Sequence, residues 1–132
     1  MTPKILIVED EMLVALELES ILAESGFEPV GIAPDLSTAE DYIGEPIDLA
    51  LVDLNLRDGL TGPQIGKLLS DKGVTVLFLT ANPRILGDGI AGAVGVLTKP
   101  TDTETVRSAV NYALGVRRGV PVDPPAALKL FG

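Results

Sequence analysis

Residues 5–11 read ILIVEDE, in which four branched apolar residues lead directly into Glu9, Asp10 and Glu11. An apolar run of this length, without polar alternation, is typical of a strand in a parallel sheet that helices cover on both faces. Charged groups are costly to bury, so the three carboxylates mark the point where the chain leaves the sheet. The stretch therefore predicts a buried strand with acidic residues at its carboxyl end.

Three more apolar runs have the same character. They are LALV at 49–52, VLFL at 76–79 and VGVL at 94–97, and each predicts another buried strand. A fifth candidate, FEPVGIA at 27–33, contains Pro29, which has no backbone N–H to donate to a neighbouring strand. This strand is therefore expected at an edge of the sheet.

Segments with helical signals lie between the strands. Apolar residues recur at helical spacing over about 12–25 and again over 101–116, which predicts two amphipathic helices. The patterns STAE, beginning at Ser37, and TDTE, beginning at Thr101, match the capping box and predict that these two residues cap helices.

Glycine and proline mark the remaining boundaries. Gly62-Pro63 favours a helix start and Gly73 a helix end, whereas 83–92 is a poor helix because each of its three glycines costs up to ~1 kcal/mol relative to alanine. Strand and helix thus alternate five times, which predicts a doubly wound α/β fold with a five-stranded parallel sheet and helices on both faces. One domain is expected over 1–118, followed by a proline-containing tail over 119–132 that could dock on the domain, on a partner or on nothing, the last being favoured.

The composition narrows the possible functions. The 132 residues carry 19 acidic and 10 basic side chains, and this net charge of −9 disfavours nucleic acid and membrane surfaces as partners. The sequence has no cysteine or histidine, which excludes disulfides, thiolate chemistry, imidazole bases and the usual zinc sites. Its apolar runs are far shorter than the ~20 residues that span a bilayer, and the N-terminus lacks a signal-peptide pattern, so a cytoplasmic protein is expected.

Polar residues follow the central strands at their carboxyl ends, where open α/β sheets place their functional crevice. They are Glu9, Asp10, Asp53, Thr80 and Lys99. Three carboxylates in one place favour a hard divalent cation such as Mg²⁺ among them. An ammonium and a hydroxyl at the same rim suit the oxygens of a phosphoryl group, so the set indicates aspartyl phosphate chemistry.

Each of these residues also has a purely structural interpretation. Asp10 and Glu11 are suited to the start of the first helix, where they favour its dipole. Asp53 is suited to a turn, and Thr80 and Lys99 to structural or solvated positions. The coincidence of all of them at strand ends favours the functional interpretation.

The order and spacing of these motifs resemble the receiver domain of two-component response regulators, of the stand-alone single-domain type. The resemblance covers about residues 3–118. It is carried by the acidic pair after the first strand, by LALVDLNLRDGLTG around Asp53, by VLFLTAN around Thr80 and by GVLTKP around Lys99. It implies a flavodoxin-like (βα)5 fold with strand order 2-1-3-4-5.

The resemblance implies that Asp53 accepts a phosphoryl group from a histidine kinase or histidine phosphotransfer protein. Such a protein is not an enzyme in the ordinary sense, although it takes part in its own Mg²⁺-dependent or Mn²⁺-dependent phosphorylation and dephosphorylation. The implied metal ligands are Glu9, Asp10, Asp53 and the backbone carbonyl of Asn55. The implied phosphoryl-binding or switch residues are Thr80, Ala81 and Lys99, with a cis peptide between Lys99 and Pro100. Residues implied to tune dephosphorylation are Asn55 and Asn82.

One position departs from the family pattern. Three residues before the lysine, receivers usually carry tyrosine or phenylalanine, and this chain has Val96. Valine has no ring to turn inward, so the usual coupling of threonine and aromatic is replaced here by a different route. Our hypothesis is that phosphorylation pulls Thr80 inward and reshapes residues 81–92 directly.

Output is expected through protein–protein interaction, because the sequence contains no output domain after the receiver; the chain is either a stand-alone receiver or a piece of a longer regulator. A homodimer through the 83–116 face is one possible form of output. Two alternatives remain open. A phosphohydrolase of the haloacid dehalogenase type would have aspartate where this chain has Asn55, and it would have an acidic metal motif after Lys99. An inert receiver-like interaction module would not need the acids, Asp53 and Lys99 that this chain retains.

Overall fold

The apolar runs of the sequence form the parallel strands of one sheet, in a computed structural model that describes residues 2–131. The strands are β1 Lys4–Val8, β2 Glu28–Ala33, β3 Leu49–Val52, β4 Thr75–Thr80, β5 Ala93–Thr98 and β6 Lys129–Leu130. Their order in the sheet is β2-β1-β3-β4-β5-β6, so the predicted order 2-1-3-4-5 is confirmed and a sixth strand extends it. The first five strands are parallel and β6 is antiparallel to β5.

Helices cover both faces of this sheet, as predicted. They are α1 Met12–Glu24, α2 Leu36–Glu40, α3 Gly62–Asp71 and α4 Thr103–Arg118. Successive residues of β1 illustrate the two layers: Ile5 and Ile7 pack with α1 and α4, whereas Leu6 and Val8 pack with α2 and α3. The edge position predicted for the proline-containing strand is also confirmed, because β2 pairs only with β1.

Two helix caps differ from the prediction. Asp35, not Ser37, caps α2, and its carboxylate accepts a hydrogen bond from the backbone N–H of Thr38 at 2.8 Å. Asp102, not Thr101, caps α4 and accepts from the N–H of Thr105 at 2.7 Å. In both cases a helix was correctly predicted to start in this region, but the N-cap lies one or two residues from the predicted one. A nearby aspartate is an equally good N-cap.

Only four α-helices form within residues 2–131, so the predicted fivefold alternation of strand and α-helix is wrong. Between β4 and β5 the chain makes a short 3₁₀ turn at Pro83–Leu86 and then an irregular stretch. Gly87, Gly89 and Gly92 in that stretch have φ values of 55°, 116° and 89°, which a helix cannot accommodate. The three glycines that weaken the helical signal of residues 83–92 are therefore also the residues that prevent an α-helix there.

The tail docks on the domain, which was one of the outcomes left open for it, although not the favoured one. Its last residues form β6 beside β5, and Leu128 is buried in the same core layer as α1 and α4. The sequence did not favour this outcome because the preceding prolines and polar residues carry no periodic signal, whereas the contact depends on distant parts of the chain. None of the helices in the described range is both long and apolar enough to span a bilayer.

Candidate functional site

Two adjacent strands bring the predicted carboxylates together. Val8 pairs with Val52 in the sheet, so the acids that follow these residues leave β1 and β3 side by side. One carboxylate oxygen from each of Glu9, Asp10 and Asp53 lies within 4.8 Å of the others. Glu9 and Asp53 are buried, whereas Asp10 reaches solvent. The cluster is therefore rooted in the sheet and open on one side.

Lys99 reaches this cluster from the end of β5. Its Nζ donates to Oε1 of Glu9 at 2.5 Å and to Oδ2 of Asp53 at 3.0 Å. Burial alone would lower the pKa of Lys99, but the hydrogen bonds to Glu9 and Asp53 outweigh it and hold that pKa above its usual value. The side chain is therefore a positively charged ammonium that bridges two of the three acids.

Glu9 lies deepest in the cluster. Burial raises the pKa of Glu9, and the hydrogen bonds from Lys99 and from the backbone N–H of Glu11 offset only part of that rise. Glu11 itself makes no side-chain cap on α1, although it occupies the N-cap position. Of the three consecutive acids, the first two belong to the cluster and the third lies at its rim.

A cavity of about 270 Å³ opens above these residues. Within it the Asp53 carboxylate is held in a fixed orientation, because Oδ1 accepts from the N–H of Leu54 at 2.7 Å while Oδ2 faces Lys99. Thr80 is fully buried, and its hydroxyl accepts from the N–H of Asn82 at 3.1 Å. The lining residues are Asp10, Glu11, Asp53, Asn55, Leu56, Thr80, Ala81, Asn82 and Lys99.

Most predicted site residues thus meet at one rim of the sheet, but Val96 does not. Its side chain is buried in the core layer of α2 and α3, where its sheet neighbours are Phe78 and Lys129. The Lys99–Pro100 peptide is cis, and Pro100 lines a separate groove rather than the cavity.

One residue at the site escaped the sequence reasoning. Gly62 begins α3 directly behind Asp53, and a Cβ atom at this position would overlap the carbonyl oxygen of Asp53 and Cα of Leu54. The glycine therefore allows α3 to approach the backbone that carries the central aspartate. Its adjacency to Pro63 gave a signal for a helix start and none for this close approach.

An apolar groove adjoins the cavity between α1 and the start of α4. Its volume is about 410 Å³, and its apolar walls include Val14, Leu18, Pro100 and Val106. Outside the groove, α1 also carries Leu13, which is 85% exposed. The cavity is therefore flanked by a surface suited to an apolar partner.

The donor set of the cavity suits a hard divalent cation. Carboxylates from β1 and β3 and the adjacent backbone carbonyls offer oxygen ligands, which Mg²⁺ prefers. Three carboxylates against one ammonium leave the site negative when all are ionised, so a cation would relieve the repulsion. The open side leaves room for a phosphoryl group beside Lys99 and Thr80.

Comparison with known proteins places this geometry in context. The family model of the response regulator receiver domain matches residues 5–111. The phyllosphere-induced regulator PhyR of Methylorubrum extorquens is 32% identical over 118 residues, which cover 86% of this chain and 44% of PhyR. Sporulation initiation phosphotransferase F of Bacillus subtilis is 28% identical over 122 residues, which cover 89% of this chain and 98% of that protein.

Solved structures agree with these relatives. The solution structure of the PhyR response regulator REC domain of Erythrobacter litoralis has a TM-score of 0.77 and 30% identity, with 96% of each chain covered. The crystal structure of PhyR from Brucella abortus has a TM-score of 0.79 and 29% identity, with 90% of this chain and 50% of that chain covered. This chain spans about half the length of the first two curated relatives, namely 44% of PhyR and 59% of the transcriptional regulatory protein AruR of Pseudomonas aeruginosa.

Proposed function

Because this chain belongs to the response regulator receiver domain family, we propose that Asp53 accepts a phosphoryl group from a histidine kinase or a histidine phosphotransfer protein. The signal then passes on through protein–protein interaction. The observation that carries this proposal is the fixed Asp53 carboxylate, held by Lys99 and by the N–H of Leu54 beneath an open cavity.

The chemistry follows from what each side chain offers. An oxygen of Asp53 attacks the phosphorus atom and forms the new P–O bond as the bond from phosphorus to the donor breaks. Lys99 pairs with one oxygen of the transferred group, and the Thr80 hydroxyl donates to another. Ala81, the next residue, also lines the cavity, and we propose its backbone N–H as a further donor.

Metal binding completes the site in this proposal. Asp10 and Asp53 would contribute carboxylate oxygens, Asn55 would contribute its backbone carbonyl, and Glu9 would act mostly through bound water. The charge that the phosphoryl oxygens and the acids share would be neutralised by bound Mg²⁺ or Mn²⁺. Because Lys99 bonds to both Glu9 and Asp53, Asp10 is the carboxylate of the three that it does not compensate, and its exposure leaves it accessible to a cation.

The phosphodonor needs a surface beside the cavity on which to dock. The apolar groove between α1 and α4, together with the exposed Leu13 and Leu16, offers one within reach of Asp53. An amphipathic helix of the donor protein fits such a groove by placing its apolar face there. The name of one relative, sporulation initiation phosphotransferase F, is consistent with passage of phosphate between proteins.

Intact mass spectrometry tests this function. The protein is incubated with Mg²⁺ and acetyl phosphate, and one added phosphoryl group is expected, with none in Asp53→Asn or in the presence of EDTA. Absence of added mass would favour an inert interaction module. Continuous release of phosphate from phosphate esters would instead favour a phosphohydrolase.

A further inference from the structure

The C-terminal tail lies over the outer edge of β5. Leu130 pairs with Gly95 and Lys129 with Val96 in antiparallel register, and the N–H of Phe131 donates to the carbonyl of Val94 at 3.0 Å. The backbone of β5 is therefore satisfied on this side by the chain's own last residues.

Two apolar side chains anchor the tail on opposite faces of the sheet. Leu128 is only 6% exposed and packs in the layer of α1 and α4. Phe131 packs in the layer of α2 and α3, where its ring centroid lies 6.5 Å from that of Phe78. Leu130, between the two anchors, is exposed. In addition to the backbone pairing, buried side chains thus fix the tail at two points.

Two glycines make room for the tail. A Cβ atom on Gly95 would overlap the carbonyl oxygen of Lys129, and one on Gly89 would lie 2.5 Å from Cγ of Phe131. Larger residues at either position would prevent this approach. The surface is therefore shaped to receive an extended strand, with an apolar anchor on each side.

The pairing itself is short. Only two residue pairs join β5 and β6, and residues 120–124, which precede this contact, are exposed and outside any helix or strand. A strand edge is a general template for pairing with another chain. An occupant held this way is one that a competing strand can replace.

The tail also rests on the segment that leaves the cavity. Thr80 and Asn82 line the cavity, and the chain then continues through the irregular stretch that ends at β5. Within that stretch, the carbonyl of Gly87 accepts from Nζ of Lys129 at 3.2 Å, and Gly89 contacts Phe131. A shift of Thr80 toward a phosphoryl group would therefore move the residues that contact the tail.

We propose that the outer edge of β5 is a docking site for an extended strand of a partner protein. Residues 128–131 occupy this edge as an internal competitor, and phosphorylation of Asp53 releases them. The release rests on the function proposed above, whereas the docking site itself does not. The occupant is a peptide that pairs antiparallel with β5, as in other cases of strand addition to a sheet edge.

The resident tail indicates the chemistry of that peptide. We expect the peptide to carry an apolar and an aromatic side chain three positions apart, as Leu128 and Phe131 are in the tail. A basic residue between them would reach the carbonyl of Gly87, as Lys129 does. The net charge of −9 also favours a basic segment. Because the tail is tethered, it competes at high effective concentration and weakens partner binding until it is released.

Binding of a fluorescein-labelled peptide, AALKLF, to the 132-residue protein tests the docking site. Phe131→Ala removes one tail anchor and leaves β5 intact, so we expect this variant to bind the peptide at least about tenfold more tightly than the wild type. Leu130→Ala is the matched control, because that side chain is exposed, and it should bind as the wild type does. Equal binding by all three proteins would overturn the docking site.

The coupling to phosphorylation is tested in the wild type with Mg²⁺ and beryllofluoride, a phosphoryl mimic. Fluorine NMR reports whether the mimic binds, and amide exchange reports on residues 93–98 and 128–131. We expect the mimic to tighten peptide binding and to speed amide exchange in both segments. If the mimic binds and neither peptide binding nor amide exchange changes, phosphorylation does not release the tail. If the mimic does not bind, the proposed function fails, while the Phe131→Ala result still decides whether the docking site exists. Dimers formed without peptide would show that a second copy, not another protein, is the occupant.

Discussion

The ammonium group of Lys99 lies 3.0 Å from Oδ2 of Asp53, although the two residues leave strands that are separated by β4. The contact therefore spans the middle of the sheet and depends on the register of three strands. It places a fixed positive charge beside the oxygen that we propose as the phosphoryl acceptor. The same ammonium bonds to Glu9, so its removal would leave two buried carboxylates without their counter-charge.

Replacing Lys99 by glutamine should slow phosphorylation from acetyl phosphate by about tenfold to a hundredfold. A hydrogen bond to a charged group contributes about 1.5–3 kcal/mol, and this one is needed when negative charge collects on the phosphoryl oxygens. The rate of mass increase at fixed Mg²⁺ measures the effect. Lys67→Gln is the control, because Lys67 is exposed on α3 and bonds only to Asp71. Equal rates in both variants would contradict the assigned role of Lys99.

Asp10→Asn should lower Mg²⁺ affinity by at least about tenfold and abolish Mg²⁺-dependent phosphorylation, because it removes a carboxylate ligand from a hard-cation site. Glu11→Gln, one residue further on, should change both quantities little, because Glu11 only borders the cavity. Isothermal titration with Mg²⁺ and intact mass give the two readouts. A similar loss in both variants would mean that general negative charge, rather than a specific ligand, attracts the cation.

Asp35 should make the stability of the fold depend on pH below about 4. The hydrogen bond from Arg57, together with those from Thr38, holds the pKa of Asp35 at about 2 in the folded chain, against 3.8 when unperturbed. A lowered folded-state pKa contributes stability that is present above pH 3.8 and is lost as the pH falls toward 2.

Urea unfolding of the wild type and of Asp35→Asn between pH 2 and pH 7 measures this contribution. Asparagine still caps α2, so the substitution removes mainly the charge. The difference in midpoint between the two proteins should be constant at neutral pH, shrink as the pH falls below about 4, and diminish in high salt because the Arg57 side chain is 65% exposed. A difference that does not change with pH would assign the effect to the cap alone.

The rim that carries the site could be predicted from sequence because two simple rules combine. Apolar runs without alternation mark buried parallel strands, and the carboxyl ends of such strands meet at one edge. Asp53 and Thr80 were therefore expected at the same edge of the sheet once their strands were recognised. The order of the first five strands, by contrast, rested on the family resemblance and not on periodicity.

What escaped prediction depends on fits between distant residues. The position of the tail requires Gly89 to leave space for Phe131, 42 positions away, and Gly95 for Lys129, 34 positions away, and no local pattern encodes such a fit. The helix caps were missed for the opposite reason, because several good capping residues stood side by side and local sequence did not choose among them.

Gly62→Ala should destabilise the protein by about 1–3 kcal/mol or more, because the added methyl group overlaps the backbone of Asp53 and Leu54 and neither can move without shifting β3 or α3. Urea unfolding measures the loss, and phosphorylation should slow as well, since Asp53 is displaced. Gln64→Ala, an exposed change on the same helix, should have little effect on either quantity. If Gly62→Ala were as stable as the control, α3 would not approach Asp53 as closely as described.

Val96→Tyr places an aromatic ring at the position where related receivers usually carry one, yet here we expect a loss of stability rather than a repaired switch. Val96 is 1% exposed and lies between Phe78 and Lys129 in the sheet, so a larger ring must displace its neighbours at a cost of about 1–3 kcal/mol. Val116→Tyr, on an exposed part of α4, should leave stability nearly unchanged. Thermal unfolding compares the stability of the two variants. Amide exchange of residues 128–131 should become faster only in Val96→Tyr, because β6 is the neighbouring strand that can move to make room for the ring. Protection of the tail equal to that of the wild type would show that the ring enters without disturbing this edge, and that space for an aromatic residue exists at position 96.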